Sequence, residues 1–319
     1  MISFVLGVAD LAATRFALSP VHEAVLSLRV LQDPGLTALH LPWRRRALDT
    51  IRGTLDTDLL MSLVARRRTL PDFLTPLPHC FAPSFEEQLA RVRHTPADRV
   101  RDDLLLAHHP DPLPPPLRTD DHAALRDRLC DLLEHYWRLV LAPDWGQMRL
   151  LLEADMTYRA RQLALGGAQA LFTGIHPNLS WTDGTLHIDK LIGRRTVDGA
   201  GRGLLLLPSV FAHKPAPPVG PGEPPSLVYP CRGLATLRTA PPPVSHSALV
   251  DLLGASRARL LTLLSEPLPT VELARRLHVT PSAVSQHLRV LHATGLVTRA
   301  RDGRQVLYRR SRLGDELMG

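Results

Sequence analysis

The sequence predicts an α+β fold, predominantly helical: an N-terminal helical domain with a small antiparallel sheet, then a C-terminal module of helices closed by a β-hairpin. Three observations carry this. Apolar residues recur at helical spacing through most of the first 171 positions. Alternating runs flank the turn dipeptides Asp183-Gly184 and Asp302-Gly303. Proline clusters at 109–116, 215–225 and 240–243 punctuate the chain. With 319 residues there is room for two or three domains with sizeable cores.

Residues 1 to about 110 read as mostly helical. Ser19-Pro20 opens a helix with the stripe Val21, Val25, Leu28 and Leu31, and Asp33-Pro34-Gly35 ends it. A second series, Leu48, Ile51, Leu55, Leu59 and Leu63, runs over 43–64, with Gly53 as an interruption. Arg44-Arg45-Arg46 and Arg66-Arg67-Arg68 flank it. Solvated helix ends explain such runs; a supplementary nucleic-acid contact is the alternative. Shorter helices are expected over 85–94 and 97–108. The proline-rich stretch that follows cannot be helix interior or central strand, and it marks either a loop or an internal joint near 109–117.

Two long helical patterns come next, 123–141 and 144–171, the second weak at Gly166-Gly167. The short Ala142-Pro143 link suggests an antiparallel pair. A hairpin about Asp183-Gly184 and strands over 203–211 and 227–231 supply the small sheet, with a flexible or polyproline loop over 215–225. Ala240 to Pro243 is the clearest boundary, a semi-rigid linker over 240–243 that leaves a domain at 1–239 and another at 244–319.

The C-terminal module opens with helices over 247–253 and 255–264, interrupted at Gly254. Thr270 is placed to cap the next helix, with Glu272 in its first turn and Leu273, Ala274 and Leu277 on its buried side. After a turn at His278-Val279, Thr280 caps another helix and Pro281 takes its first position. Val284, Leu288 and Leu291 form the inward stripe of helix 281–293; Ser282, Ser285, Gln286 and Arg289 form the opposite one. A helix docked by one face and presenting such side chains on the other is what reading base edges requires. Gly295 ends it. The hairpin about Asp302-Gly303 forms a wing over 296–310, packed by Val297, Val306, Leu307 and Tyr308 and carrying Arg299, Arg301, Arg304 and Arg309. A two-residue turn would set Arg301 opposite Arg304, a repulsion that a nearby polyanion relieves. The order is that of a winged helix-turn-helix.

Charge agrees. From 244 to 319 eleven arginines stand against six acidic residues, which accounts for five of the seven net positive charges. An anionic partner is expected there. Cys80, Cys130 and Cys231 are far apart and odd in number, so a reducing cytoplasm is expected and no disulfide framework. Neither a signal peptide nor a membrane span is expected. His108, His109, Asp111 and His122 match no compact metal motif, and no metal or other cofactor is expected. No GxSxG, phosphate-binding glycine loop or HExxH motif occurs, so the chain is not expected to be an enzyme.

The stretch TVELARRLHVTPSAVSQHLRVLHATGLV and the wing RARDGRQVLYRR resemble the ArsR family of bacterial repressors over about 75 residues. The resemblance implies dimeric binding to double-stranded DNA, with repression relieved by a ligand. It implies base contacts from Ser282, Ser285, Gln286 and His287, and backbone or minor-groove contacts from the wing; Thr280 and Arg289 are candidate contacts from the reading of the helix itself. It does not transfer a thiolate metal site, because the matching stretch from Val271 to Arg275 has no cysteine. Only 311–318 remain for a terminal dimerisation helix, which leaves the helix near Leu249 to Leu253 or the N-terminal region. That region, around ADLAATRFALSPVHEAVLSLRVL, resembles the uncharacterised one preceding such modules in some actinobacterial regulators. The expected function is an effector-responsive repressor with a sensor or dimerisation domain at 1–239. The alternative is a winged helix that docks another protein.

Overall fold

The computed structural model describes residues 1–319 except 37, 66–69, 190–193, 218–224, 236–245, 303–304 and 319, and only the backbone of 246, 248 and 302. The proline linker, Arg66 to Arg68 and Arg304 therefore lie outside the described residues. The chain forms two compact units, Met1–Arg238 and Thr239–Gly319. Among the described residues, no helix is long and apolar enough to cross a membrane.

The N-terminal unit runs β1 (Ile2–Val5), α1 (Val8–Ala12), β2 (Arg15–Phe16), α2 (Pro20–Gln32), α3 (Leu41–Ile51), α4 (Thr57–Ser62), α5 (Phe85–Arg93), α6 (Ala97–His108), α7 (His122–Tyr136), α8 (Trp145–Phe172), β3 (Leu179–Thr182), β4 (Thr185–Ile188), β5 (Arg195–Asp198), β6 (Leu205–Ser209) and β7 (Ser226–Pro230). Helix α2 is its centre. The Ser19 hydroxyl accepts the His22 amide, and Pro20 sits at the first position. Eleven of its thirteen residues are buried, so the expected stripe is in fact a helix buried nearly all round. Its polar groups are served inside: Ser27 shares a 2.6 Å hydrogen bond with the Tyr136 hydroxyl, and Gln88 of α5 accepts the Val21 amide. Gly53, at φ 71°, separates α3 from α4.

Loop 109–117 is not a joint. Leu117 is fully buried, α5 and α6 both pack on α7, and one core takes in residues from Ala17 to Cys231. The pairing of α7 with α8 also needs correction. Helix α7 lies on α4, α5 and α6, whereas the main partners of α8 are β3 and β6. A π-helical turn, Trp137–Leu141, intervenes, and strands from the start of the chain share the core at the far end of α8. Helix α8 itself breaks at Gly166 and Gly167, where φ is −140° and 64°.

The single antiparallel sheet is corrected to two sheets. One is mixed, in the order β3-β4-β1-β5, with β1 antiparallel to β4 and parallel to β5; the other, β2-β6-β7, is parallel throughout. Each takes a strand from residues 1–16, which the helical reading had absorbed. A four-residue apolar run such as Ile2–Val5 has no period that separates strand from helix. The β3–β4 hairpin is as expected: Thr182 pairs with Thr185, and both turn residues, Asp183 and Gly184, have positive φ.

The C-terminal unit runs α9 (His246–Leu253), α10 (Ala255–Leu263), β8 (Leu268–Pro269), α11 (Thr270–Leu277), α12 (Pro281–Ala293), β9 (Val297–Asp302), β10 (Gln305–Arg310) and α13 (Arg312–Met318). Gly254, at φ 82°, turns α9 into α10. Leu260, Leu261, Leu264, Leu273, Val284, Leu288, Leu291 and Val297 build a core of its own. The three strands form one sheet in the order β8-β10-β9.

Candidate nucleic-acid interface

Helix α12 is fixed at both ends by its own sequence. Thr280 accepts the Ala283 amide at 3.3 Å, and Pro281 follows at the first position. At the other end Gly295 takes φ 74°; its amide bonds the His292 carbonyl, and the Leu296 amide bonds that of Leu291. This double closure is a Schellman motif, and glycine adopts the left-handed conformation without strain. The preceding turn uses His278 at φ 56° and ψ 43°, where the notable residue is a histidine rather than a glycine. The expected cap at Thr270 is corrected. Thr270 is the first helical residue of α11, Pro269 precedes it in extended conformation, and no side chain caps that end. A residue already inside the helix cannot reach back as a cap.

The two faces of α12 separate cleanly. Val284, Leu288 and Leu291 are at most 1% exposed and pack among α10, α11 and β9. Ser282, Ser285, Gln286 and Arg289 are all exposed, as is Thr280. At 1.5 Å per residue the four span about 10 Å along the axis, roughly three base-pair steps. His287 is half-buried, at the edge between the faces.

The wing is less uniform than its sequence suggests. Arg301 pairs with Val306, Arg299 with Tyr308, and Asp302 with Gln305. The register therefore removes the expected Arg301–Arg304 opposition, because the turn begins one residue later than a turn centred on Asp302-Gly303. Residues opposite one another share a face, so Arg299 and Arg301 lie on the side of Val297 and Tyr308, and Arg309 lies on the other with Thr298 and Leu307. Val306, at 38% exposure, is not part of the packing. Arg299, Arg301 and Arg309 are exposed.

Ion pairs decide which cations are available to a partner. The Glu272 carboxylate takes Arg275 and Arg276, both at 2.7 Å, and these arginines hold it down to about 2. Arg310 pairs with Asp315 at 3.0 Å and Arg312 with Glu316 at 2.8 Å, ties that involve α13. Arg289, Arg299 and Arg309 make no ion pair among the described residues. The polar face of α12 and the wing thus carry arginines, Arg289, Arg299 and Arg309, that no acid holds among the described residues.

The C-terminal unit is similar in sequence to known proteins. The family model described as bacterial regulatory protein, arsR family, matches residues 255–299. The HTH-type transcriptional repressor SmtB of two Mycobacterium tuberculosis strains is 36% identical over 92 residues, 29% of this chain and 59% of the relative. The chain thus spans somewhat over half the length of these curated relatives. Among solved structures, ZitR from Lactococcus lactis in apo form is 22% identical, over 23% of this chain and 58% of its own, with a TM-score of 0.20. HlyU from Vibrio cholerae is 32% identical, over 22% and 76%, with a TM-score of 0.20. The C-terminal unit of this chain carries a helix-turn-helix of the ArsR type.

Proposed function

We propose that the chain is a DNA-binding transcription regulator, with α12 in the major groove and the wing along the phosphate backbone. The observation that carries this is the division of α12 into a buried apolar face and an exposed Ser282, Ser285, Gln286 and Arg289 face, with free arginine charge beside it. Gln286 and Arg289 are the side chains suited to bidentate base contacts; Thr280, Ser282, Ser285 and His287 position the helix. Arg299, Arg301, Arg304 and Arg309 contribute charge toward phosphates. The protein acts as a homodimer, as operator half-site geometry favours. Leu252 on α9 and Leu313 on α13, 69% and 52% exposed, supply apolar area for a dimer contact. Its action is repression, relieved by an effector held in the N-terminal unit.

The test is a gel-shift series with double-stranded DNA from upstream of the chain's own gene. Gln286→Ala and Arg289→Ala are each expected to weaken specific binding by about 1–3 kcal/mol and to relax sequence preference. Unchanged binding in both variants refutes the base-reading assignment. Full-length protein that binds no DNA, yet retains its fold, favours docking to another protein instead.

A further inference from the structure

A cavity beside α5 in the N-terminal unit takes no part in the surface described above. It is a cleft of about 340 Å³, broadly open to solvent. Three aromatic rings, Phe85, Trp137 and Trp145, contribute to its wall. Phe85 stacks on Trp137 with centroids 4.5 Å apart and planes 4° apart, and Trp137 meets Trp145 edge-on at 5.3 Å. Leu18, fully buried, lines it as well. The π turn helps to shape this wall. The Ala142 amide bonds the Trp137 carbonyl at 2.9 Å, one residue farther along than in an α-helix. Single π turns are rare and concentrate at functional sites.

Two charged side chains line the same cavity, Glu86 and Arg149, and they are not equivalent. The Arg149 guanidinium is held by Glu153 at 2.7 Å. Glu86 is exposed and has neither hydrogen bond nor ion pair among the described residues. The start of α5 would by itself favour an anion, but Ser84 and Glu87 already close it as a capping box, and Glu86 and Glu87 both stand in its first turn. The uncompensated charge of the cavity is therefore negative, next to two indole rings. The charge attracts a cation, and the rings offer apolar contact to the body that carries it.

We propose that this cavity binds a small organic cation, an ammonium or amidinium group on an apolar body, with the body against Trp137 and Trp145 and the charge beside Glu86. Its volume is at the lower end of the roughly 300–1,000 Å³ typical of small-molecule sites, which suits a single-ring body. The site stands apart from DNA binding and does not require it.

The test uses the full-length protein with indole nitrogens labelled for NMR, titrated with benzamidine, its neutral isostere benzamide and the anion benzoate. Trp145→Phe assigns one indole signal, and Trp43 and Trp181, away from the cavity, report the fold. Benzamidine is expected to shift the Trp137 and Trp145 signals saturably in the millimolar range, and benzamide to bind at least about tenfold more weakly. Glu86→Gln should weaken benzamidine about tenfold and leave benzamide unchanged, whereas Arg149→Ala should weaken neither. No saturable shift with benzamidine, equal affinity for benzamide, or unaltered affinity in Glu86→Gln overturns the assignment. Gel shifts on the same preparations are read separately, so loss of DNA binding and loss of this site are distinct results.

Discussion

Glu23 shows how much chemistry a single buried residue can carry. Its carboxyl lies against the Val210 amide at 3.1–3.2 Å, with Ser209, the Phe211 amide and Cys231 close by. Burial raises its pKa from 4.5 to about 8, against the pull of the hydrogen bonds from Ser209, Val210 and Phe211. The folded chain then holds it protonated at neutral pH, while the unfolded chain ionises it. Its contribution to stability is complete below about pH 4.5 and disappears as pH rises through about 8. Neighbouring His22 runs the other way: burial lowers it from 6.5 to about 4, so stability rises with pH across that window. Glu23→Gln, which keeps an acceptor and removes the titration, is expected to abolish the alkaline loss and spare the acid one. Urea midpoints measured between about pH 5 and pH 9 decide this. An undiminished alkaline loss in the variant assigns it elsewhere. None of this was legible in the sequence, where Glu23 reads as an ordinary first-turn helix acid beside Ser19 and Pro20.

At the scale of elements, legibility followed the number of independent local signals. Helix α12 has a cap, a first-position proline, a four-residue inward stripe spacing and a closing glycine, and the structure places it where those signals put it. Helices α5 and α6 likewise lie within about a residue of the ranges 85–94 and 97–108 that their sequence indicates. Strands β1, β2 and β5 have two to four residues and no turn dipeptide of the hairpin type joining them to their partners, so only tertiary pairing reveals them. The wing is intermediate: the hairpin is present, but each pairing lies two residues along from the expected one, with Arg301 facing Val306 rather than Arg304, which changes cross-strand neighbours and keeps every side chain on its expected face. The division of the wing into two faces has a measurable consequence. Arg299 and Arg301 share a face, and Arg309 is on the other. If the face of Arg299 meets DNA, Arg299→Ala lowers the slope of log affinity against log salt by about 1, and Arg309→Ala lowers it by much less. Equal effects from both substitutions show that phosphates reach the two faces alike.

At the scale of the molecule, the sequence separated two halves but described them unequally. The C-terminal unit is local: its core residues lie between Leu260 and Val297. The N-terminal unit joins Phe4 to Leu186 and Ala17 to Cys231, and no periodicity within a window reports such distances. Cavity residues Phe85, Trp137 and Trp145 escaped notice for the same reason, although two tryptophans astride Pro143 were a signal to follow. Because the units have separate cores, calorimetry on the full chain is expected to show more than one unfolding transition. One transition whose calorimetric and van't Hoff enthalpies agree contradicts this. The position of β1 has a further consequence for how the chain is made. Ile2 finds its sheet partners at Ile188 and Arg195, so an apolar strand emerges from the ribosome more than 180 residues before its partners. At synthesis rates of about 5–20 residues per second that interval is roughly 10–40 seconds. Throughout it the nascent chain carries a strand without its partners, the kind of exposed edge that makes incomplete chains prone to aggregation.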